Sequence, residues 1–139
     1  MKISTKTRYG LRALVYIAEN AGLGDERLVR IKEISEAQKL SVQYLEQILF
    51  KLKKAKIIVG KRGPSGGYKL ARKAEDISVF EVFQILEADV RAVMCDKDSE
   101  KCSQIDCKTF YLWEKLNDSI MLILKETSIQ ELVLNERCL

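Results

Sequence analysis

A chain of 139 residues has room for one ordinary domain, or for a small domain plus an arm that buries its apolar face on a partner. With 47% hydrophobic and 32% charged residues, and no apolar run near the ~20 residues of a bilayer span, its composition excludes a membrane-crossing chain. Histidine is absent, which removes the commonest general base, the commonest neutral metal ligand and any hydrolytic triad. The net charge of +4 is unevenly spread: residues 1–94 carry 18 basic and 11 acidic side chains, whereas residues 95–139 carry 6 and 9. A polyanionic partner therefore belongs to the first part.

Thr5 or Thr7 can cap a first helix running to about Ala21, along which Leu11, Leu14, Val15 and Ala18 recur as an apolar stripe. Asn20, Gly22 and Gly24 end it, and residues 24–27 form a polar link. Val29 and Ile31 suit a brief strand. Residues 32–38 then predict a short helix with Ile34 and Ala37 turned inward, and Leu40 and Ser41 make the turn to the next helix, capped by Ser41. That helix places Leu45, Ile48, Leu49 and Leu52 on one side, while Gln43, Glu46, Gln47, Lys51 and Lys54 fall largely outside.

Residues 57–61 and 68–72 have strand composition, and Gly63, Pro64, Ser65, Gly66 and Gly67 between them supply a tight connection. Ser78 with Glu81 is a capping box that opens a helix over residues 79–87, whose Val82, Phe83, Ile85 and Leu86 pack on the preceding module. Residues 89–106 are polar, bear cysteines and follow no period; they read as a loop. Helical spacing returns over residues 109–126 through Leu112, Trp113, Leu116, Ile120, Ile123 and Leu124, and Ser128 with Glu131 starts a short terminal helix. Leaving that long stripe in water forfeits ~1.5–3 kcal/mol per side chain, so it is expected to pack on a second subunit, the alternative being a fold back onto its own domain.

The predicted fold is mainly α with a small β-wing: a winged helix-turn-helix domain over 1–88, a cysteine loop over 89–108, and a dimerisation helix with a short terminal helix over 109–139. Between Lys51 and Lys73 the chain carries Lys51, Lys53, Lys54, Lys56, Lys61, Arg62, Lys69, Arg72 and Lys73 without one acidic residue, which suits phosphates. Gln43, Glu46 and Gln47 lie in the first turns of the lysine-studded helix, where glutamine can pair with adenine and glutamate can accept from the cytosine amino group. Tyr44 can donate to a phosphate or simply pack. Arg62 at the wing has the planar fork that reaches a minor groove or phosphate, and Gly63, Ser65, Gly66 and Gly67 let the backbone come close. A charged helix face is often only solvated; the adjoining basic hairpin is what turns the reading toward double-stranded DNA.

The N-terminus MKISTKTRYG lacks the apolar stretch and cleavage site of a secretory signal, which points to the cytoplasm, where thiols stay reduced. Cys95, Cys102 and Cys107 fall in the polar loop with no CxxC knuckle, a spacing more readily accommodated by an iron-sulfur cluster than by structural zinc. Zinc, a thiol switch and the absence of any ligand role are the alternatives. Cys138 is penultimate and reads as a terminal thiol.

KISTKTRYGLRAL at the start, SVQYLEQIL in the reading helix and KRGPSGGYKLAR in the wing together resemble the Rrf-two family of bacterial winged-helix transcriptional regulators, over essentially the whole chain. The resemblance implies a homodimer crossed by its long C-terminal helices and a pseudo-palindromic operator. DNA contacts would then fall on Tyr44, Glu46, Gln47, Lys53, Arg62 and the wing glycines. Members with three cysteines in the loop are the iron-sulfur and nitric-oxide sensors, so the resemblance implies a repressor of cluster-assembly genes, with nitric-oxide or redox sensing as the alternative. A two-iron two-sulfur cluster is expected before a four-iron four-sulfur one. Where the iron-sulfur regulators place a histidine three residues beyond the last cysteine this chain has Phe110, and where the nitric-oxide sensors take a carboxylate from the first helix it has Lys6, Arg8 and Arg12. A loop aspartate, a partner group, Cys138 or an external thiol is left to complete the site. An enzyme or electron carrier fits poorly, because no acid/base set or substrate-phosphate motif accompanies the thiols.

Overall fold

The computed structural model describes residues 2–21, 27–95 and 107–135. Helix α1 (Thr5–Asn20) starts one residue earlier than a threonine cap would place it: Ser4 stays extended and its Oγ accepts the Thr7 N–H at 3.2 Å. Thr5 and Thr7 are thus inside the helix, because a capping hydroxyl must stand three residues before the donor it satisfies. Glu87 reinforces this end from 83 residues away, its Oε1 accepting the Ser4 N–H at 2.8 Å. Leu14 and Ile17 are fully buried on the inner face of α1.

Val29 and Ile31 do not form a strand. Val29 makes a single antiparallel bridge to Tyr68, and Ile31 already begins α2 (Ile31–Gln38), where the Glu33 carboxylate accepts the Arg30 N–H at 2.7 Å and so supplies a local cap. In this two-turn helix Ile34 is buried, but Ala37 is exposed; so short a helix presents only one residue squarely to the core. The turn that follows leads to α3 (Val42–Lys54), whose N-cap Ser41 accepts the Tyr44 N–H at 3.2 Å. Leu45, Ile48, Leu49 and Leu52 are wholly buried, the face that the spacing predicts. Helix α3 closes through Lys56 in the left-handed region (φ 59°), with Lys56 N–H donating to the Lys53 carbonyl and Ile57 N–H to that of Leu52, both at 3.0 Å. This is the Schellman arrangement without its usual glycine.

Strands β1 (Ile58–Lys61) and β2 (Gly67–Leu70) pair antiparallel with Ile58 opposite Leu70 and Lys61 opposite Gly67. Tyr68 faces Gly60 on one side, and on the other it exchanges both backbone hydrogen bonds with Val29, at 2.9 and 2.7 Å. The wing is thereby sewn to the residue just before α2. A single 3₁₀ turn (Ala74–Asp76) leads to α4 (Val79–Leu86), whose capping box between Ser78 and Glu81 forms as expected and buries Val79, Val82, Phe83 and Leu86.

Helix α5 (Phe110–Glu126) packs along α4, with the Lys125 ammonium 5.2 Å from the centre of the Phe80 ring. Helix α6 (Ile129–Leu134) turns back onto α1 and inserts Ile129, fully buried, into the core of the winged module. Val79 N–H donates to the Thr127 carbonyl and Ile129 N–H to that of Ile77, so the N-terminal ends of α4 and α6 are joined through backbone. No α5 residue is fully buried. Trp113, Asn117, Ile120 and Leu124 are half-buried, while Tyr111, Leu112, Leu116, Leu122 and Ile123 lie exposed, so the chain itself covers only part of the apolar stripe. Among the described residues no helix is long and apolar enough to cross a membrane.

Candidate nucleic-acid interface and cysteine segment

Because the four aliphatic side chains of α3 are locked into the core, its opposite face is held rigidly outward. Gln43, Glu46, Gln47, Lys51, Lys53 and Lys54 are all exposed there. Tyr44 is half-buried: its ring meets Tyr9 edge-on at 6.1 Å between centres and its hydroxyl lies 3.2 Å from Thr5 Oγ1. Its aromatic body therefore packs on α1 while the hydroxyl stays at the surface.

The wing tip is built by two glycines in different ways. Gly63 has φ +108°, a conformation that costs a side-chain-bearing residue, and nothing lies near the position its Cβ would take. Gly66 is buried in the turn, its N–H donating to the Gly63 carbonyl at 2.9 Å, and a Cβ there would sit 2.2 Å from the Lys61 carbonyl oxygen. Of the expected wing contacts, Arg62, Gly63 and Ser65 are exposed, Gly67 is half-buried in the ladder, and Gly66 serves the turn. Arg30, which no local sequence signal singles out, donates from its guanidinium to the Pro64 carbonyl at 2.7 Å and so braces the tip against the start of α2.

Between α3 and the wing runs a cleft of about 590 Å³ whose walls include Arg30, Glu46, Phe50, Lys53, Arg62 and Gly63. Lys53 reaches over β1, its Nζ 3.5 Å from where a Gly60 Cβ would stand. Arg72 and Lys73 are tied to Glu81 and Glu75, whereas among the described residues no carboxylate is bonded to Lys51, Lys53, Lys54, Lys61 or Arg62. Five unsatisfied cations on adjacent surfaces attract a polyanion. Tyr68 also lines the cleft, and burial together with the nearby Glu46 carboxylate pushes its hydroxyl above the ordinary range.

Of the three loop cysteines, Cys95 and Cys107 are free and half-buried; Cys102 and Cys138 lie outside the described residues. The Thr109 hydroxyl, 3.2 Å from Cys107 Sγ, and the Thr109 and Phe110 backbone N–H groups hold that thiol below its ordinary range. Thr109 spends its hydroxyl there rather than on capping α5. Two residues before Cys95 the backbone is clamped by Asn117 of α5: its Oδ1 accepts the Ala92 and Val93 N–H groups at 2.9 and 3.3 Å, and its Nδ2 donates to the Val93 carbonyl at 2.9 Å. Sequence reading missed this clamp, since nothing local marks Asn117. Among the described residues no three Cys, Asp or Glu side chains gather as a metal site. The two described sulfurs, unpaired and in one case acidified, have the donor chemistry that a thiolate-held cluster requires.

Comparison with known proteins agrees with this geometry. Residues 3–135 match the family Rrf2, described as an iron-dependent transcriptional regulator. The chain is 39% identical over 139 residues to the HTH-type transcriptional regulator IscR of Cereibacter sphaeroides, spanning 98% of this chain and 89% of that one. Among solved structures it is similar to CymR, the global cysteine regulator of B. subtilis, with 30% identity, 96% of each chain covered and a TM-score of 0.79. It is also similar to T. potens IscR, with 32% identity, 99% of this chain and 89% of that one covered, and a TM-score of 0.76.

Proposed function

Since the chain belongs to the Rrf2 family of transcriptional regulators, we propose that it is a cytoplasmic, homodimeric repressor that reads a pseudo-palindromic promoter duplex and senses iron-sulfur cluster status. The observation that carries the DNA-reading half is the rigid outward face of α3 beside a braced basic wing, with Lys51, Lys53, Lys54, Lys61 and Arg62 unpaired among the described residues. In this reading Gln43, Glu46 and Gln47 meet base edges, Tyr44 and the lysines hold phosphates, and Arg62 with Gly63, Ser65, Gly66 and Gly67 brings the wing backbone to the neighbouring groove. A two-fold dimer places two such faces about one helical turn apart, and the exposed α5 residues Leu112, Leu116 and Ile123 are the surface through which two copies join.

Cys95, Cys102 and Cys107 would hold the cluster, two-iron two-sulfur in preference to four-iron four-sulfur. A cluster so held supplies a centre sensitive to oxidants, nitric oxide and iron supply. The chain's own part is to relay loop order. Asn117 joins the backbone before Cys95 to α5, and α5 and α6 are bonded to α4 and the core beneath α3, so ordering at the cysteines biases the two reading helices. Coupling of ~1–3 kcal/mol corresponds to about 5- to 150-fold in operator affinity.

Anaerobic purification followed by iron and sulfide analysis, an absorption spectrum, and operator titration of loaded and metal-free protein test this reading. Visible absorbance that disappears in Cys102→Ala and Cys107→Ala, with affinities that differ between the two forms, supports it. A colourless protein, or equal affinities, removes the sensing half. The free, half-buried Cys107 thiol, with the Thr109 hydroxyl 3.2 Å from its sulfur, favours one second reading, a repressor that answers nitric oxide or thiol oxidation. Release from DNA that requires the oxidant or the gas, with cluster occupancy alone inert, selects that reading.

A further inference from the structure

The outward face of α3 is polar except for one residue. Phe50 is 68% exposed, although every other large apolar side chain of the helix at positions 45, 48, 49 and 52 is completely buried. Its position is not peripheral. At about 100° per residue, Gln43, Glu46, Gln47, Phe50 and Lys54 fall within roughly a third of the helix circumference, and Phe50 is near the middle of that arc. It stands one turn beyond Glu46 and Gln47 and lines the cleft that faces Arg62 and Gly63 of the wing. An aromatic ring there is ringed by cations and base-reading side chains, so whatever phosphates draw onto this surface is pressed against it.

The major groove offers one apolar group at base-pair edges, the 5-methyl of thymine, and phenylalanine is among the side chains that contact it. We infer that Phe50 is a specificity-determining residue that packs on a thymine methyl in each half-site, adjacent to the base pairs read by Glu46 and Gln47. The inference rests on the DNA-reading role proposed above and adds to it a base preference that the polar residues cannot supply. A methyl-sized apolar contact favours thymine over cytosine, and over uracil in the same pairing, without any hydrogen bond. The ring is absent from the core, so its removal leaves the fold intact.

The test begins with the full-length protein selecting duplexes from a randomised library. In the selected operator each thymine is then replaced, together with its symmetry mate, by uracil, which deletes the methyl and nothing else. The expected result is one thymine pair whose replacement weakens binding about fourfold per half-site, the factor that burial of one methyl-sized group gives. Phe50→Ala binds the thymine and uracil duplexes alike at that pair, whereas Phe50→Leu retains most of the discrimination. Phe50→Ala that still distinguishes the two duplexes, or wild type that is indifferent to every replacement, overturns the inference while DNA reading stands. A wild-type selection that enriches no sequence overturns the DNA-reading role and this inference with it. Unchanged thermal unfolding of Phe50→Ala confirms that the loss is one of recognition.

Discussion

Helices α3 and α5 are both amphipathic, yet they stand in different states of completion. Helix α3 sends four aliphatic side chains wholly into the core of its own chain and keeps its polar face free, so its orientation is fixed before any partner arrives. Helix α5 is longer, at 17 residues against 13, and buries none of them fully; its apolar surface is split between half-buried residues along α4 and an exposed set that includes Leu112, Leu116 and Ile123. A reading surface gains from rigidity, because base contacts tolerate little displacement. In the proposed reading α5 answers a signal, and such an element gains from being held weakly, here by polar clamps such as Asn117 and by an apolar surface that its own chain leaves exposed.

Four substitutions sharpen or break this contrast. Leu49→Ala, in the buried face of α3, should lower folding stability by about 2–5 kcal/mol in a thermal or denaturant melt; an unchanged midpoint would mean that α3 is not anchored as described. Ile123→Asp on the exposed face of α5 should leave the secondary structure intact but weaken self-association by on the order of 100-fold, measured by sedimentation, since a charge then replaces an apolar contact in both copies. If Ile123→Asp instead melts the chain, α5 belongs to the core after all. Arg62→Ala should weaken operator binding about tenfold at fixed salt and reduce the salt slope by about 0.9 per wing, with no change in melting. The smallest effect runs the other way: Lys56→Gly, which relieves a side chain from the left-handed region at the end of α3, should stabilise the fold by about 0.5–1 kcal/mol. A loss of stability there would show that the turn is not under strain.

The buried and exposed faces of α3, the caps at Ser41, Ser78 and Ser128, and the glycine turn of the wing were legible in the amino-acid order because each depends on residues within a few positions of one another. Periodicity sorts a helix into faces, and a hydroxyl three residues before a free N–H is a cap wherever it occurs. The misreadings at Ser4, Val29 and Ala37 came where more than one local pattern was available and packing chose between them. Contacts that span long loops carry no such signature. The Arg30 brace on Pro64 closes over 34 residues and the Glu87 cap on Ser4 over 83, while Ile129 enters the winged core from the far end of the chain. Composition and spacing settled what each segment could form; only the folded chain, where bringing distant groups together is offset by burial and paired hydrogen bonds, decided which of them meet and left Phe50 facing outward.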